Sequence, residues 1–324
     1  MEKIILYTSV FVISFAATAV AVKLLLPLLV KLKMGQRILE IGPSWHMGKQ
    51  GTPTMGGISF AAALVISSMI YLLYSGTGDP VYFLGTLGYI LSGALIGFAD
   101  DSLKMRKKEN EGLTASVKLF FQLVTASAYI SFCVAMGYVT TDIYIPFTDI
   151  SVDAGGFYYL FAVLTLTGIS NAVNFTDGID GLCSSVTATA ALFMALLSVR
   201  CGDYENIFFS LAISGICLGF LIFNFYPAKI FMGDTGSLFL GAAIGAIAVT
   251  SMKNTAIFII GAVYIMEAAS VVLQVIWFKI TGKRLFLMAP LHHHFEKKGL
   301  SEVKIVLIFT TATFLTGIIG SLLV

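Results

Sequence analysis

Apolar residues fill most of this chain in ten long runs that are separated by polar segments. A helix needs about 20 apolar residues to cross the roughly 30 Å hydrocarbon core of a bilayer. The runs lie near residues 3–30, 54–75, 80–99, 115–137, 155–175, 181–200, 205–225, 236–252, 255–279 and 302–323. The pattern predicts an all-α polytopic membrane protein with about ten transmembrane helices.

The segment between the predicted fourth and fifth spans has a different pattern. Residues 138–153 alternate apolar and polar side chains around Pro146, which predicts two short strands joined by a turn. We therefore expect a small β-hairpin on the outer surface of a single membrane domain that covers residues 1–324. The first apolar run lacks a small-residue cleavage motif, so we expect a retained helix and not a signal peptide.

The composition agrees with this pattern and excludes other classes of protein. Of the 324 residues, 57% are hydrophobic and only 12% are charged, which is more apolar surface than a soluble domain could bury. The same values exclude a disordered chain. The net charge of +2 gives no reason to expect nucleic acid as a partner. The four cysteines show no paired spacing, so neither disulfides nor a zinc site are indicated.

Basic residues are concentrated in alternate connections between the predicted spans. Residues 31–53, 101–118, 226–235 and 279–304 together hold 16 of the 20 lysines and arginines. Cytoplasmic loops carry such an excess, so we expect this side to face the cytoplasm. An even number of spans then places both termini outside.

Candidate chemistry lies on the same side as these basic loops. Ionisable groups near a membrane are costly, so their concentration on one side is informative. The residues concerned are Asp100, Asp101, Asp177, Asp180, Asp234, His46, His292, His293 and His294. Five carboxylates and four imidazoles on one face suggest a site that binds a cation and an anionic substrate.

The motif GFADDSLK places Asp100 and Asp101 at the end of the third predicted span. A helix C-terminus already carries partial negative charge, so two carboxylates there favour a nearby cation. The alternative is that the basic residues within 104–108 simply neutralise them. Neighbouring residues on a helix point about 100° apart, so the two carboxylates should do different jobs.

The motif NAVNFTDGIDGL repeats a polar residue every third position. Asn174, Asp177 and Asp180 should therefore lie near one helix face. The two glycines of the motif would let a flat ligand approach the backbone. The alternative is that Thr176 or Asp177 only caps the sixth predicted span. Capping accounts for one acid, but not for two acids and an asparagine.

The motif FNFYPAKIFMGDTGSL places Asp234 between two glycines at the start of the eighth predicted span. A carboxylate there suits Mg²⁺ as a hard oxygen ligand, and the glycines would allow a phosphate to come close. The alternative is that Asp234 is an ordinary helix N-cap.

The motif APLHHHFEKKG contains three consecutive histidines, His292, His293 and His294. Neighbouring side chains diverge, so the three cannot all face one metal ion. Beside Lys297 and Lys298 they better suit a phosphate or a sugar hydroxyl, with a zinc site as the alternative.

Four further polar residues lie near or within the predicted spans. Lys49 and Lys118 are candidate phosphate clamps, or else lysines that pair with lipid headgroups. Gln274, in the ninth predicted span, could reach the site. Glu267 lies deeper in that span and is interpreted as a helix-packing contact rather than a catalytic group.

Taken in order, ADDSLK, NAVNFTDGIDGL, FMGDTGSL and APLHHHFE resemble the signature loops of the polyprenyl-phosphate N-acetylhexosamine-1-phosphate transferases. WHMGKQGTPTMGG and PLHHHFE are similar to the phospho-N-acetylmuramoyl-pentapeptide transferase branch rather than the GlcNAc-1-phosphate branch. The resemblance covers essentially the whole chain.

The resemblance implies transfer of phospho-MurNAc-pentapeptide from UDP-MurNAc-pentapeptide to undecaprenyl phosphate, with release of UMP. It further implies a homodimer with a cytoplasmic active site that uses Mg²⁺. Asp234 would be the Mg²⁺ ligand, Asp100 and Asp101 an essential pair, and Lys118 an essential lysine. Asp100 would deprotonate or orient the lipid phosphate. The donor site would include Phe231 stacked on uracil, together with Lys49, Asn174, Asp177, Asp180, Asn224, Gln274, His292, His293 and His294.

The residues alone leave other functions open. One is a UDP-GlcNAc polyprenyl-phosphate transferase, and another is a cation- or proton-coupled transporter with intramembrane acids. Transport sites lie near the bilayer midplane, however, whereas these acids lie at span ends on one side. A covalent aspartyl-phosphate route through Asp234 or Asp101 also stays open.

Overall fold

The computed structural model describes residues 2–32, 49–74, 79–107, 111–148 and 150–322. Helices make up most of these residues. In chain order the elements are α1 (Glu2–Lys31), α2 (Ile58–Tyr74), α3 (Pro80–Lys107), α4 (Ala115–Ala135), β1 (Asp142–Tyr144), β2 (Ser151–Asp153), α5 (Phe157–Thr176), α6 (Leu182–Cys201), α7 (Tyr204–Asn224), α8 (Gly233–Thr250), a 3₁₀ turn (Asn254–Ala256), α9 (Ile257–Ile260), α10 (Ala262–Thr281), α11 (Leu291–Lys297) and α12 (Glu302–Ser321).

Nine helices in the described ranges are long and apolar enough to cross a membrane: α1, α3, α4, α5, α6, α7, α8, α10 and α12. The 17-residue helix α2 is shorter but equally apolar in character and supplies a tenth candidate. The prediction of an all-α polytopic membrane protein with about ten spans is confirmed.

Helix α8 forms the centre of the bundle and packs against α3 and α5. Membrane helices pack closely where small side chains let their backbones approach. Gly97 of α3 is such a position, because a Cβ atom there would lie 2.1 Å from the carbonyl oxygen of Asp234. This backbone contact brings the aspartates of α3 beside the first turn of α8.

The predicted hairpin is present as β1 and β2, which pair antiparallel with Ile143 opposite Val152. It is held against the 3₁₀ turn by side chains of that turn. Asn254 Nδ2 donates to the carbonyl of Asp142 at 2.8 Å, and Thr255 Oγ1 donates to that of Tyr144 at 2.7 Å. The predicted hairpin is therefore present and packs against the 3₁₀ turn at one end of the bundle. We call this end the hairpin end.

Two predicted spans differ from the helices observed. Helix α3 continues to Lys107, so Asp100 and Asp101 lie inside the helix and not at its end. Lysine and arginine are good helix formers and are favoured in a last turn, which explains the extension. The predicted ninth span, 255–279, is broken at Gly261 into α9 and α10.

Candidate active site

Three carboxylates meet where α3 crosses the start of α8. Asp100, Asp101 and Asp234 each offer a ligand oxygen, and these oxygens all lie within 4.8 Å of one another. We call these three residues the acidic cluster. Asp100 and Asp101 are only 1% and 3% exposed, so their charges are largely withheld from water. Like charges gathered in this way repel one another, and nearby cations relieve that repulsion.

Two lysines bridge the acidic cluster. Lys118 Nζ lies 2.6 Å from Asp234 Oδ2 and 3.3 Å from Asp100 Oδ1. Lys104 Nζ lies 2.6 Å from Asp100 Oδ2 and 3.0 Å from Asp234 Oδ2. Lys118 thus pairs with the cluster and not with a lipid headgroup. The expected neutralisation by basic residues holds for Lys104, yet two ammonium groups leave three carboxylates with a net negative charge.

Asp101 and Asp100 contact different groups, as their helical spacing predicts. Asp101 accepts hydrogen bonds from the backbone N–H groups of Asp234 and Thr235, at 3.2 and 2.9 Å, and from Thr235 Oγ1 at 2.7 Å. Asp100 Oδ1 instead accepts from the backbone N–H of Leu113 at 2.9 Å. Asp101 therefore caps the N-terminus of α8 from a neighbouring helix.

The alternative that Asp234 is an N-cap of α8 is wrong. The N-cap residue is Met232, and Asp234 lies in the first helical turn. Its carboxylate accepts from Lys104, Lys118 and Asn174 Nδ2, the last at 2.9 Å. Its side chain is therefore directed at the cluster and not at the backbone of its own helix.

The expectation that Asn174, Asp177 and Asp180 share one helix face is also wrong. Helix α5 ends at Thr176, and Asp177 occupies its C-cap with φ −84° and ψ 55°. Only Asn174 lies on the helix, where it donates to Asp234 and to Ser237 Oγ. The capping alternative fails as well, because the N-cap of α6 is Gly181 and no side chain caps it.

Asp177 differs from the other aspartates of the site because no partner of its carboxylate is found among the described residues. Burial, and then the charges of Asp234, Asp101 and Asp180, raise its pKa to about 8. A carboxylate held beside other carboxylates without a counter-ion suits a position next to a cation.

Lys49 and Asp180 form an ion pair that joins distant parts of the chain. Lys49 Nζ lies 2.7 Å from Asp180 Oδ1 and 2.6 Å from Glu302 Oε2 at the start of α12. Asp180 Oδ2 also accepts the backbone N–H of Ala228 at 2.8 Å. The headgroup alternative for Lys49 is therefore wrong in this structure.

Asn224 and Phe231 lie in the connection that leads to α8. Asn224 is buried, and its amide bridges two backbone groups, accepting from Gly181 N at 3.2 Å and donating to Ile230 O at 2.9 Å. Phe231 donates its backbone N–H to Pro53 O at 2.8 Å. Its backbone is thus fixed, while its ring is partly exposed three residues before Asp234.

The three histidines diverge, as expected for neighbouring residues. His292 is fully buried, with Nδ1 3.2 Å from Glu267 Oε2, so the structure does not present it to a substrate. His293 Nδ1 lies 2.5 Å from Glu296 Oε2. His294 Nδ1 accepts the backbone N–H of Leu287 at 3.2 Å, and burial followed by the charge of Lys298 lowers its pKa.

The zinc alternative for the histidine motif receives no support. Over the described residues, the group of side chains with metal-ligand spacing is the acidic cluster, which contains no histidine. His46 lies outside the described residues.

Gln274 holds a loop, and its hydrogen bonds within the described residues are to that loop and not to the acidic cluster. Its Oε1 accepts the backbone N–H groups of Leu285 and Phe286, at 3.0 and 2.8 Å. Glu267 makes more than a packing contact, because its Oε2 also accepts the backbone N–H of Leu291 at 2.8 Å. Both residues of α10 therefore bind the segment that precedes and includes the histidines.

Comparison with known proteins agrees with this geometry. Residues 83–252 match glycosyl transferase family 4, and residues 49–60 match phospho-N-acetylmuramoyl-pentapeptide-transferase signature 1. The chain is 44% identical to the phospho-N-acetylmuramoyl-pentapeptide-transferase of Acetivibrio thermocellus, over 96% of the chain and 93% of that protein. Identity to the enzyme of that name from Bacillus pumilus is 44%, over 99% of the chain and 98% of the relative. Identity to the enzyme of that name from Bacillus subtilis is 42%, over 99% of the chain and 98% of the relative.

The chain belongs to the phospho-N-acetylmuramoyl-pentapeptide-transferase family. The resemblance inferred from the motifs is therefore confirmed, and membership of a transferase family argues against the transporter alternative. The matched range 83–252 contains the whole acidic cluster and both bridging lysines. The signature at 49–60 begins with Lys49 and includes the backbone that pairs with Phe231.

Several residues that contact the site were not predicted from the sequence. Lys104 was considered only as one of several neutralising residues, although its position four residues after Asp100 is a signal for direct pairing. Glu302, which shares Lys49 with Asp180, has no such local signal. Ser237, a partner of Asn174, lies one turn after Gly233 and could have been found from helical spacing.

Proposed function

We propose that this chain transfers phospho-MurNAc-pentapeptide from UDP-MurNAc-pentapeptide to undecaprenyl phosphate, giving lipid I and UMP. The reaction would take place at the cytoplasmic face of a bacterial cell membrane, as a step of peptidoglycan synthesis. Family membership supports the reaction class. The observation that carries the proposal is the acidic cluster, bridged by two lysines at one end of the helix bundle.

The residues of the acidic cluster fit Mg²⁺. They offer hard carboxylate oxygens, which Mg²⁺ prefers, and their negative charge exceeds that of the bridging lysines. Asp234 is the proposed ligand because it is the most exposed member, and Asn174 orients its second oxygen. Bound Mg²⁺ would supply neutralisation of phosphate charge and stabilisation of the leaving UMP.

Lys104 and Lys118 have a proposed role in bringing the two substrates together. Both substrates carry phosphate groups, so their approach is repulsive unless positive charge lies between them. The two ammonium groups lie between Asp100 and Asp234, where phosphate oxygens would replace part of their carboxylate contacts. Phosphoryl transfer needs mainly positioning and charge stabilisation, which this arrangement can provide.

The contacts of Asp100 and Asp101 favour direct attack by the lipid phosphate on the β-phosphorus of the donor. Asp101 is buried, and its carboxylate already accepts three hydrogen bonds. These bonds occupy the lone pairs that a nucleophile would use, so Asp101 is poorly suited to attack phosphorus. Asp100 is engaged by two lysines and a backbone N–H, which suits orientation of charge. We therefore assign Asp100 to orienting the lipid phosphate through the bridging lysines.

The donor nucleotide is proposed to bind beside Phe231. A partly exposed aromatic ring next to the metal ligand suits stacking on uracil. Lys49, which Asp180 holds in an ion pair, is proposed to contact the donor with its ammonium group. The other donor-site candidates are Asn174, Asp177, Asn224, Gln274, His293 and His294, of which Asn224 and Gln274 would act by holding loops.

The proposal is tested by release of UMP from purified protein in detergent. We expect release to require undecaprenyl phosphate, UDP-MurNAc-pentapeptide and a divalent cation, and to stop when the cation is chelated. Release with UDP-GlcNAc in place of UDP-MurNAc-pentapeptide would favour the GlcNAc branch. Release without any acceptor lipid would contradict the proposed transfer.

Two further expectations from the family resemblance remain predictions. One is a homodimer, which is tested by measuring the molecular mass of the purified protein in detergent. The other is the cytoplasmic location of the site, which is measured in a variant whose four native cysteines are replaced, by labelling a cysteine introduced at Lys229 or at Asp142 from either side of sealed vesicles. Lys229 lies in the connection before α8 and Asp142 lies in the hairpin. The two positions should label from opposite sides.

A further inference from the structure

Two side chains on one face of α10 hold the segment 285–292. Glu267 and Gln274 lie seven residues apart, which is about two helical turns, so both point to the same side. Gln274 accepts the first backbone N–H groups of the segment, and Glu267 accepts the last two, at 2.8 Å from Leu291 and 3.3 Å from His292. The segment is thus attached to α10 at both ends.

Glu267 is a fully buried carboxylate within an apolar helix. Such a group is costly to retain in a membrane segment, so its presence requires an explanation. The Nδ1 atom of His292, itself fully buried, lies 3.2 Å from Glu267 Oε2. Because a carboxylate only accepts, Nδ1–H is the donor in this contact.

The opposite edge of the His292 ring lies against Gly178. A Cβ atom added at Gly178 would be 2.0 Å from Nε2 and 2.6 Å from Cε1 of the ring. Nε2 has no hydrogen-bond partner in the described part of the chain. The imidazole therefore fills the space of a missing side chain in the turn that carries Asp177 and Asp180.

We propose that Glu267 is a positioning residue for binding of the donor nucleotide. It holds the imidazole of His292 against Gly178 and so fixes the turn at 177–181. That turn carries Asp177 beside the acidic cluster and Asp180 beside Lys49. Its effect on the donor rests on the proposed function, whereas the contacts between Glu267, His292 and Gly178 do not.

The test is a double-mutant cycle on the donor KM. Glu267→Gln keeps the volume of the side chain but removes the charged acceptor of Nδ1–H. Gly178→Ala displaces the same ring from its other edge without touching Glu267. We expect each variant to raise the donor KM at least tenfold and to change kcat less than threefold. Because both displace one ring, the double variant should be no worse than either single variant.

His292→Asn keeps the experiment decisive if Glu267→Gln does not fold. Its amide can still donate to Glu267, so the buried carboxylate keeps a partner, while the ring is removed from Gly178. We expect a raised donor KM and a melting temperature near that of the wild type. Ser270→Ala is the matched control, since the Ser270 hydroxyl lies one turn further along α10 and, within the described residues, donates back to Glu267 O at 2.7 Å.

The outcomes separate this inference from the proposed function. If the wild type releases no UMP from UDP-MurNAc-pentapeptide, the proposed function fails. If the wild type is active but Glu267→Gln and His292→Asn leave the donor KM unchanged, the positioning role of Glu267 is overturned. Independent, multiplying effects of Glu267→Gln and Gly178→Ala on the donor KM would overturn it as well.

Discussion

The two ends of the helix bundle both carry aspartates, but the aspartates have different kinds of partner. At the hairpin end, Asp79 accepts the backbone N–H of Val81 at 2.8 Å, and Asp153 accepts that of Gly155 at 2.9 Å. These partners lie two residues away in sequence. In the acidic cluster, Asp101 accepts from the backbone of Asp234, which lies 133 residues away.

The pKa values of Asp79 and Asp177 illustrate this difference. A hydrogen bond from Tyr138, then one from the backbone N–H of Val81, holds the pKa of Asp79 below its usual value. At the other end, burial and neighbouring carboxylates raise the pKa of Asp177 to about 8. Hydroxyl and backbone donors stabilise the ionised form of Asp79, whereas the converging helices leave Asp177 beside other carboxylates, a position that a cation can satisfy.

The largest expected difference between the two ends is in catalysis. Asp234→Asn removes one carboxylate from the proposed Mg²⁺ ligands, so turnover should fall at least about 100-fold, as for loss of a group that stabilises charge in the transition state. The measurement is UMP release at saturating substrates over a range of Mg²⁺ concentrations. Asp153→Asn, at the hairpin end, is the matched control and should keep near-wild-type turnover. A near-wild-type rate for Asp234→Asn at ordinary Mg²⁺ would show that the metal assignment is wrong.

The sequence predicted the elements whose signals are local. The lengths of the apolar runs predict ten spans, and the alternation around Pro146 predicts the hairpin. The position of Asp234 at the start of a helix, between two glycines, makes it a candidate metal ligand. The partners of these residues could not be predicted, because they depend on how helices pack. Capping of α8 by Asp101 requires the close contact of α3 and α8 at Gly97, which no local pattern encodes.

The positions at which helices end are the second reason why some predictions from the sequence are wrong. The repeat of Asn174, Asp177 and Asp180 indicates one helix face only if the helix continues, and α5 ends at Thr176. Likewise, Gln274 has the right depth to approach the site, but its amide is taken by the backbone of the loop at 285–286. Hydropathy locates a span within a few residues, yet a shift of that size changes which side chains share a face.

The second prediction compares the two neighbouring acids of the cluster. Asp101→Asn weakens the cap of α8, so we expect a lower melting temperature, with a loss of about 1 kcal/mol typical of a cap. Asp100→Asn removes one of several like charges, so its melting temperature should stay near that of the wild type. Its kcat should fall, while the KM for the donor is preserved. Equal losses of donor binding in both variants would contradict this division.

Phe231 tests the donor side, with a smaller expected effect. Base–aromatic stacking is worth roughly 1–3 kcal/mol, so Phe231→Ala should raise the donor KM by about one to two decades. The KM for undecaprenyl phosphate should barely change, because its head group is proposed to contact lysines and metal. The ring is partly exposed, so the melting temperature should change little. A large drop in melting temperature with an unchanged donor KM would show that the ring belongs to the core.

The stability of the protein should also depend on pH through Asp177. Its pKa is about 8 in the folded protein, against an ordinary value of 3.8 for the unfolded chain. Between these values the folded state keeps the proton and the unfolded state has lost it. The contribution of Asp177 to stability is therefore fully present below about pH 4, decreases as the pH rises towards 8, and is constant above that.

Melting temperatures from pH 5 to pH 9, measured without divalent cations, isolate this contribution when the wild type is compared with Asp177→Asn. Other groups also titrate, so the quantity of interest is the difference between the two proteins. We expect the variant to gain stability over the wild type as the pH rises to 8, seen as a growing difference in melting temperature, since 1 kcal/mol shifts the melting temperature by about 2–4 °C in a chain of 150–250 residues. Mg²⁺ favours the ionised carboxylate, so it should raise the wild-type melting temperature more at pH 8.5 than at pH 6. Parallel curves for the two proteins would mean that Asp177 is already ionised at neutral pH and has a cationic partner, as the aspartates of the hairpin end have local donors.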